Sequence, residues 1–265
     1  MEAAGIGAEE PVDLRIEGHV ATVTLDRPDV LNAVDTPTYR CLLAVFAKIE
    51  DGADIRCVVV RGRGRAFSVG ADRTERAKMT DDDLRRRRRL VPRVFSAMYH
   101  CSRPVIAQVH GYALGGGLEL ALSCDLVVAA EDAVMGLVET TLGSMPAGGG
   151  TQLLPRLVGI PRAKELIFTG RRFTGAEARQ WGLVNHAVPA ADLETTVGAL
   201  AAEISAAAPL AVAQAKRAID LSTQLEIDNG VALEAELYER LLTSADRLEG
   251  LAAAREGRRA NFRGR

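Results

Sequence analysis

Apolar runs bounded by turn residues alternate with helix-patterned stretches from Val20 to about Leu157, and this alternation narrows the possible folds more than any other feature of the chain. Val12–Leu25 reads as two short strands around Glu17-Gly18; in VATVTL apolar and polar residues alternate, the period of a half-buried strand. Arg27-Pro28 breaks the run. From Thr36 to Glu50, Tyr39, Leu42, Leu43, Phe46 and Ile49 fall at helical spacing, with Thr36 as candidate cap and Pro37 in the first turn. Short buried strands are predicted at Cys57–Val60, Val105–Val109 and Leu126–Ala130. Strands interleaved with helices predict an α/β architecture with helices packed on sheets. Beyond Pro161 the sequence turns alanine-rich: Ala163–Thr169, Ala176–Trp181, Leu193–Ala208, Leu210–Leu221 and Val231–Glu256 all suit amphipathic helices. A helical C-terminal third of this kind packs against itself or against a neighbouring subunit.

Composition excludes several classes. With 48% hydrophobic and 26% charged residues over 265 positions, the chain can bury one large core as an ordinary globular protein. A formal net charge of −2 argues against a chain built to sit on nucleic acid or an anionic membrane. Cys41, Cys57, Cys101 and Cys124 lie far apart with no C-x-x-C pair, the pattern of a reduced cytosolic protein with buried thiols. His19, His100, His110 and His186 form no metal spacing, so no metal or redox cofactor is implied. MEAAGIGAEEP lacks the basic and apolar regions of a secretory signal, and no apolar run reaches the roughly 18 residues of a membrane span. A cytoplasmic protein is therefore expected. Thr80–Arg89, TDDDLRRRRR, reads as a solvated helix with Asp81–Asp83 at its dipole-favoured start. Its alternative is a phosphate- or nucleic-acid-binding patch.

Three segments share a glycine-rich turn that frees backbone N–H groups ahead of a helix: Phe67–Asp72, His110–Glu119 and Gly136–Thr151. In the second, Gly115, Gly116 and Gly117 join the strand Val105–Val109 to a helix over Leu118–Ser123. The first N–H groups of a helix lack intrahelical partners and favour negative charge. A thioester carbonyl becoming an enolate would be stabilised there by Gly116, with a second donor from the Gly70-Ala71 turn. Alone the triple glycine is a weak signal, since a phosphate cradle or close helix packing needs the same residues. No G-x-G-x-x-G follows the first strand and no G-x-x-x-x-G-K-[ST] occurs, which disfavours the usual nucleotide sites. Glu119 and Glu139 each follow one of these turns. Adding water to an α,β-unsaturated thioester needs a base to polarise the water and an acid to protonate Cα, and two carboxyl groups can do both. Either glutamate alone reads as a surface or helix-start charge; the order of all three segments changes that reading.

In these motifs the sequence resembles the enoyl-CoA hydratase/isomerase family, also called the crotonase family. The resemblance starts at Arg27–Ala33, runs through the three glycine segments, and continues at Ala163–Leu166, Glu177-Ala178, Trp181–Val184 and Asp246–Gly250. It implies a spiral of ββα units, with a core over residues 1–188 and a helical trimerisation region over 189–265, dimers of trimers being common. By position, Ala71 and Gly116 match the family's oxyanion-hole donors. Glu119 and Glu139, 20 residues apart (139 − 119), match its catalytic pair. Glu139 would give the proton to Cα and Glu119 would hold and activate the water. Val30, Leu31, Val69 and Asp72 fall on the family's CoA path, with Gly70, Gly115 and Ala147 as further substrate contacts. The implied activity is hydration of an enoyl-CoA thioester, with coenzyme A as part of the substrate rather than a cofactor. The alternatives are a Δ3,Δ2-enoyl-CoA isomerase, which needs one glutamate, and an RNA-binding homologue using Arg85–Arg89. MGLVET, GGGTQLLPR and AKELIF look most like the methylglutaconyl-CoA hydratase branch, some of whose members bind AU-rich RNA. The chain departs from the family at four places. Asp29 replaces a frequent Lys, Arg73 an aliphatic residue, and Ala147 the first glycine of a P-G-x-G-G turn, where a positive φ would strain alanine. Ala254–Arg258 lacks the tail's usual aromatic and lysine, leaving Arg255, Arg258 or Arg259 to substitute.

Overall fold

The computed structural model describes residues 10–265. Most of the N-terminal segment read as lacking a secretory signal lies outside the described residues. β1 (Val12–Glu17) and β2 (Val20–Leu25) form an antiparallel hairpin that turns at Gly18, whose φ of +58° suits glycine. α1 (Thr36–Asp51) follows. Its cap is Asp35 rather than Thr36: the Asp35 carboxylate accepts the Thr38 N–H at 2.9 Å. A capping oxygen must reach the N–H three residues ahead, and Thr36 already lies inside the helix. β3 (Cys57–Gly62) leads through α2 (Arg73–Ala77) and α3 (Asp81–Tyr99) to β4 (Val105–Val109). Thr80 and Asp83 close a capping box on α3.

The next passes are shorter. β5 (Tyr112–Leu114) runs into α4 (Gly116–Leu122), and β6 (Leu126–Ala130) into β7 (Val134–Gly136). A 3-10 turn at Glu139–Leu142 precedes α5 (Gly150–Val158) and α6 (Ile160–Thr169). β8 (Phe173–Thr174), α7 (Gly175–Gln180) and β9 (His186–Val188) complete the sheets. The chain ends in α8 (Leu193–Ala206), α9 (Pro209–Leu221), α10 (Ile227–Leu242) and α11 (Ala245–Glu256). The single helix expected over Val231–Glu256 is therefore two. Ser244 interrupts it and caps α11 by accepting the Arg247 N–H at 3.1 Å.

The main sheet has the order β1-β2-β3-β4-β6-β9 and is parallel beyond the hairpin. A second, smaller sheet has the order β5-β7-β8. Isolated bridges Val34↔Ala71 and Ser68↔Ala113 carry this second layer back to the earlier passes. Each pass thus places one strand in the main sheet, a shorter one in the second layer, and then a helix. This is the expected ββα spiral. Parallel strands covered by helices lose their polar face, so β3 and β4 read as nearly unbroken apolar runs. α8 lies on the main sheet through buried Leu193, Val197 and Ala201. Lys216 of α9 pairs with Asp125, which also accepts the Val105 N–H at 2.7 Å. Among the described residues no single helix is long and apolar enough to cross a membrane.

Candidate active site

The three glycine turns converge between the two sheets. Ser68 N–H donates to Tyr112 O and Leu114 N–H to Ser68 O, both at 3.0 Å, which joins the first turn to the second. Gly115 N–H donates to Gly136 O at 2.8 Å, which joins the second to the third. Two contacts need glycine. Gly70 has φ +80°, and a Cβ there would lie 2.6 Å from Leu114 O and 2.8 Å from Gly116 N. Gly115 has φ +53°, and a Cβ there would lie 3.0 Å from Glu139 Oε1.

Ala71 is fixed from both sides. Val34 N–H donates to Gly70 O at 2.7 Å, and Asp72 N–H donates to Val34 O at 3.1 Å. Its own N–H faces away, towards the start of α4: a Cβ on Gly116 would lie 3.7 Å from Ala71 N. No hydrogen bond among the described residues uses the N–H of Ala71 or of Gly116. Two unused N–H groups from different turns therefore flank one small space, the arrangement that stabilises a developing oxyanion.

Glu119 is only 3% exposed. Its Oε1 accepts Gly148 N–H at 2.7 Å and Gly150 N–H at 2.8 Å, while Oε2 makes no hydrogen bond among the described residues. Burial pushes its pKa up, and the N–H groups of Gly150 and Gly148 pull against that. Glu139 opens the 3-10 turn, and its Oε2 is buried without a partner. Burial raises its pKa to about 7, its own backbone N–H opposes this, and the negative charge of Glu119 adds to it. One carboxyl group is thus steadied by N–H donors, and the other is left to hold a proton near neutral pH. Burial raises both groups, and Glu119 has N–H donors of another turn opposing that rise where Glu139 has only its own, an unequal setting of the kind that can divide the roles of base and acid.

The remaining expected residues divide. Val30, Leu31 and Val69 gather at one edge: Val69 N–H donates to Leu31 O at 3.1 Å, and Val30 is 44% exposed. Asp72 has partners inside the chain, capping α2 through Thr74 and Glu75 N–H and pairing with Arg27 at 3.1 Å. Ala147 is exposed beside Gly148 and carries no strain. Among the described residues only Leu31 and Asn32 are non-glycines with positive φ, and the turn takes its positive φ at Gly149 instead. In the tail, Arg258 is engaged by Glu249 and Glu256 at 2.6 Å, while Arg255 and Arg259 are exposed.

The arginine run is mostly a solvated face. Arg85 pairs with Asp82 at 3.3 Å and Arg86 with Asp83 at 3.0 Å. Arg87 turns inward, donating to Val34 O at 3.1 Å and lying 5.0 Å over the Tyr39 ring. Two residues outside the expected set also reach the site. Tyr39 adjoins Gly116, and the Phe95 ring fills the space a Cβ on Gly148 would need. Beyond Phe95 and Gly148 lies a cavity of about 350 Å³ bounded by Tyr99, Leu153 and Gln224.

The family model described as enoyl-CoA hydratase/isomerase matches residues 15–265. The chain belongs to the enoyl-CoA hydratase/isomerase family. The short-chain-enoyl-CoA hydratase of Clostridium acetobutylicum is 39% identical over 94% of this chain and 95% of its own length. The mouse mitochondrial enoyl-CoA hydratase domain-containing protein 2 is 43% identical over 93% of this chain and 85% of its own. The crystal structure of an enoyl-CoA hydratase from Bacillus anthracis superposes with a TM-score of 0.94 at 38% identity, covering 96% of this chain and all of that one. The fold is thus the crotonase fold, with C-terminal helices.

Proposed function

We propose that this family member is an enoyl-CoA hydratase. The observation that carries the reading is the pair of carboxyl groups, Glu119 and Glu139, beside two unused N–H donors, Ala71 and Gly116. An isomerase needs one carboxyl group for its proton shuttle; hydration uses both. The thioester oxygen accepts from Ala71 and Gly116, which draws electrons from the conjugated double bond. Glu119, oriented by Gly148 and Gly150, takes a proton through Oε2 from a water whose oxygen bonds to the substrate Cβ. Glu139 delivers its proton to Cα as the enolate collapses. Return of the proton from Glu119 to Glu139 resets the pair, so the net reaction adds one water.

Val30, Leu31 and Val69 form the proposed CoA edge. The cavity beyond Phe95 offers room for an acyl tail. The exposed apolar side chains of α9–α11, among them Ile219, Ile227, Val231 and Leu251, support residues 189–265 as a trimer surface. The acyl group is proposed to be short or branched, after the methylglutaconyl-like motifs. Purified protein is expected to convert crotonyl-CoA, or a branched enoyl-CoA, to the 3-hydroxyacyl product. Absence of hydration across straight and branched chains would remove the reading.

A further inference from the structure

Tyr39 has the spacing of an ordinary core residue of α1, and its ring is 2% exposed. It packs against Phe95 with ring centroids 6.3 Å apart. Arg87 lies over the ring, 5.0 Å from its centroid, and is itself anchored by Val34 O at 3.1 Å and Glu75 at 3.6 Å. These contacts fix the direction of the phenol. A Cβ on Gly116 would lie 3.6 Å from Tyr39 Oη and 3.7 Å from Ala71 N, so the hydroxyl and the two N–H groups border one space. A buried phenol ordinarily finds a hydrogen-bond partner. Here Arg87 lies close enough to donate to Oη, and because a guanidinium can only donate, the hydroxyl's own proton has no acceptor among the described residues. Burial lifts the phenol to about 12, with Arg87 pulling it back and Glu119 pushing it up. The group therefore keeps its proton throughout the neutral range and is available to donate.

We propose that the Tyr39 hydroxyl is a third hydrogen-bond donor to the thioester oxygen, beside the N–H groups of Ala71 and Gly116. This rests on the reading of that space as a thioester-oxygen site. A phenol in this place makes Tyr39 a catalytic residue, and Arg87 and Phe95 the side chains that position it. A donor aimed at the oxygen matters most when negative charge builds there, so its removal lowers kcat more than it changes KM.

Tyr39→Phe removes the hydroxyl while keeping the ring, the Phe95 contact and the Arg87 stack. The decisive readout is the spectrum of a bound chromophoric thioester, p-dimethylaminocinnamoyl-CoA, whose absorption moves to longer wavelength as its carbonyl is polarised. Wild-type protein is expected to shift the band. Tyr39→Phe is expected to give a clearly smaller shift and a kcat lower by roughly tenfold to a hundredfold, with an unchanged unfolding midpoint. A shift equal to wild type overturns the proposal whatever the rate does, because a merely structural role lowers activity without altering carbonyl polarisation. If wild type itself leaves the band unmoved, the thioester reading fails and the proposal with it. If the Phe variant is less stable, the spectrum is taken below its unfolding midpoint, where the comparison stands.

Discussion

Glu139 is the residue on which chemistry and stability oppose each other. Its carboxyl rises from an ordinary 4.5 to about 7, with burial the leading cause. Between those values the folded protein keeps a proton that the unfolded chain has released, so stability falls as pH rises and the loss is complete above about 7. The loss is up to about 3 kcal/mol at 1.4 kcal/mol per pKa unit. Glu139→Gln removes the ionisation. At pH 8 its thermal midpoint is expected above wild type by several degrees, narrowing towards pH 4.5; equal midpoints at pH 8 would contradict the buried acid. With Glu139 as the proposed proton donor, kcat/KM is expected to fall on the alkaline side with an apparent pKa near 7, read from initial rates across pH. The order of the glycine turns made Glu119, Glu139, Ala71 and Gly116 legible in sequence. Tyr39 was not, because core packing fully accounts for its spacing in α1. Arg87 was not, because five consecutive arginines are equivalent until the helix phase turns one of them inward.

At the scale of elements, the turn Pro146–Gly150 holds the Glu119 carboxylate in place. A Cβ on Gly150 would sit 3.0 Å from Glu119 Oε1 and 2.9 Å from Leu137 Cδ1. Gly150→Ala is therefore expected to lower kcat by at least about tenfold and stability by about 1–3 kcal/mol, checked by initial rates and urea unfolding. The cap of α1 gives a cleaner comparison. Asp35→Ala loses the bond to Thr38 and the ion pair with Arg27 at 3.2 Å, and is expected to cost about 1 kcal/mol or more. Thr36→Ala is expected to cost far less in the same urea titration. The six- and five-residue strands β1–β4 and β6 were readable from their apolar runs. β5, β7, β8 and β9, of two or three residues each, were not. Strands that short have no period of their own and exist only because neighbouring passes supply their partners.

At the scale of the molecule, the α/β spiral was legible because its strand–turn–helix order is written along the chain. Assembly was not, because an amphipathic helix does not announce which of its apolar residues stay uncovered after folding. In α9–α11 these are Ile219, Ile227, Val231, Tyr238, Leu248 and Leu251, all more than half exposed. On the proposal that these faces form a trimer surface, wild type is expected to scatter as a trimer and replacement of Ile227 and Val231 by Glu to shift the mass towards monomer; a monomeric wild type or an unchanged mass would contradict the proposed surface. The proposed water addition needs both carboxyl groups. Its most direct measurement is product formation from crotonyl-CoA by wild type, Glu119→Gln and Glu139→Gln, with a 3-enoyl-CoA as parallel substrate. Wild type is expected to form 3-hydroxyacyl-CoA, and each variant to lose at least about a hundredfold in rate. Wild-type isomerisation of the 3-enoyl-CoA without hydration, retained in Glu119→Gln, would contradict the proposed addition.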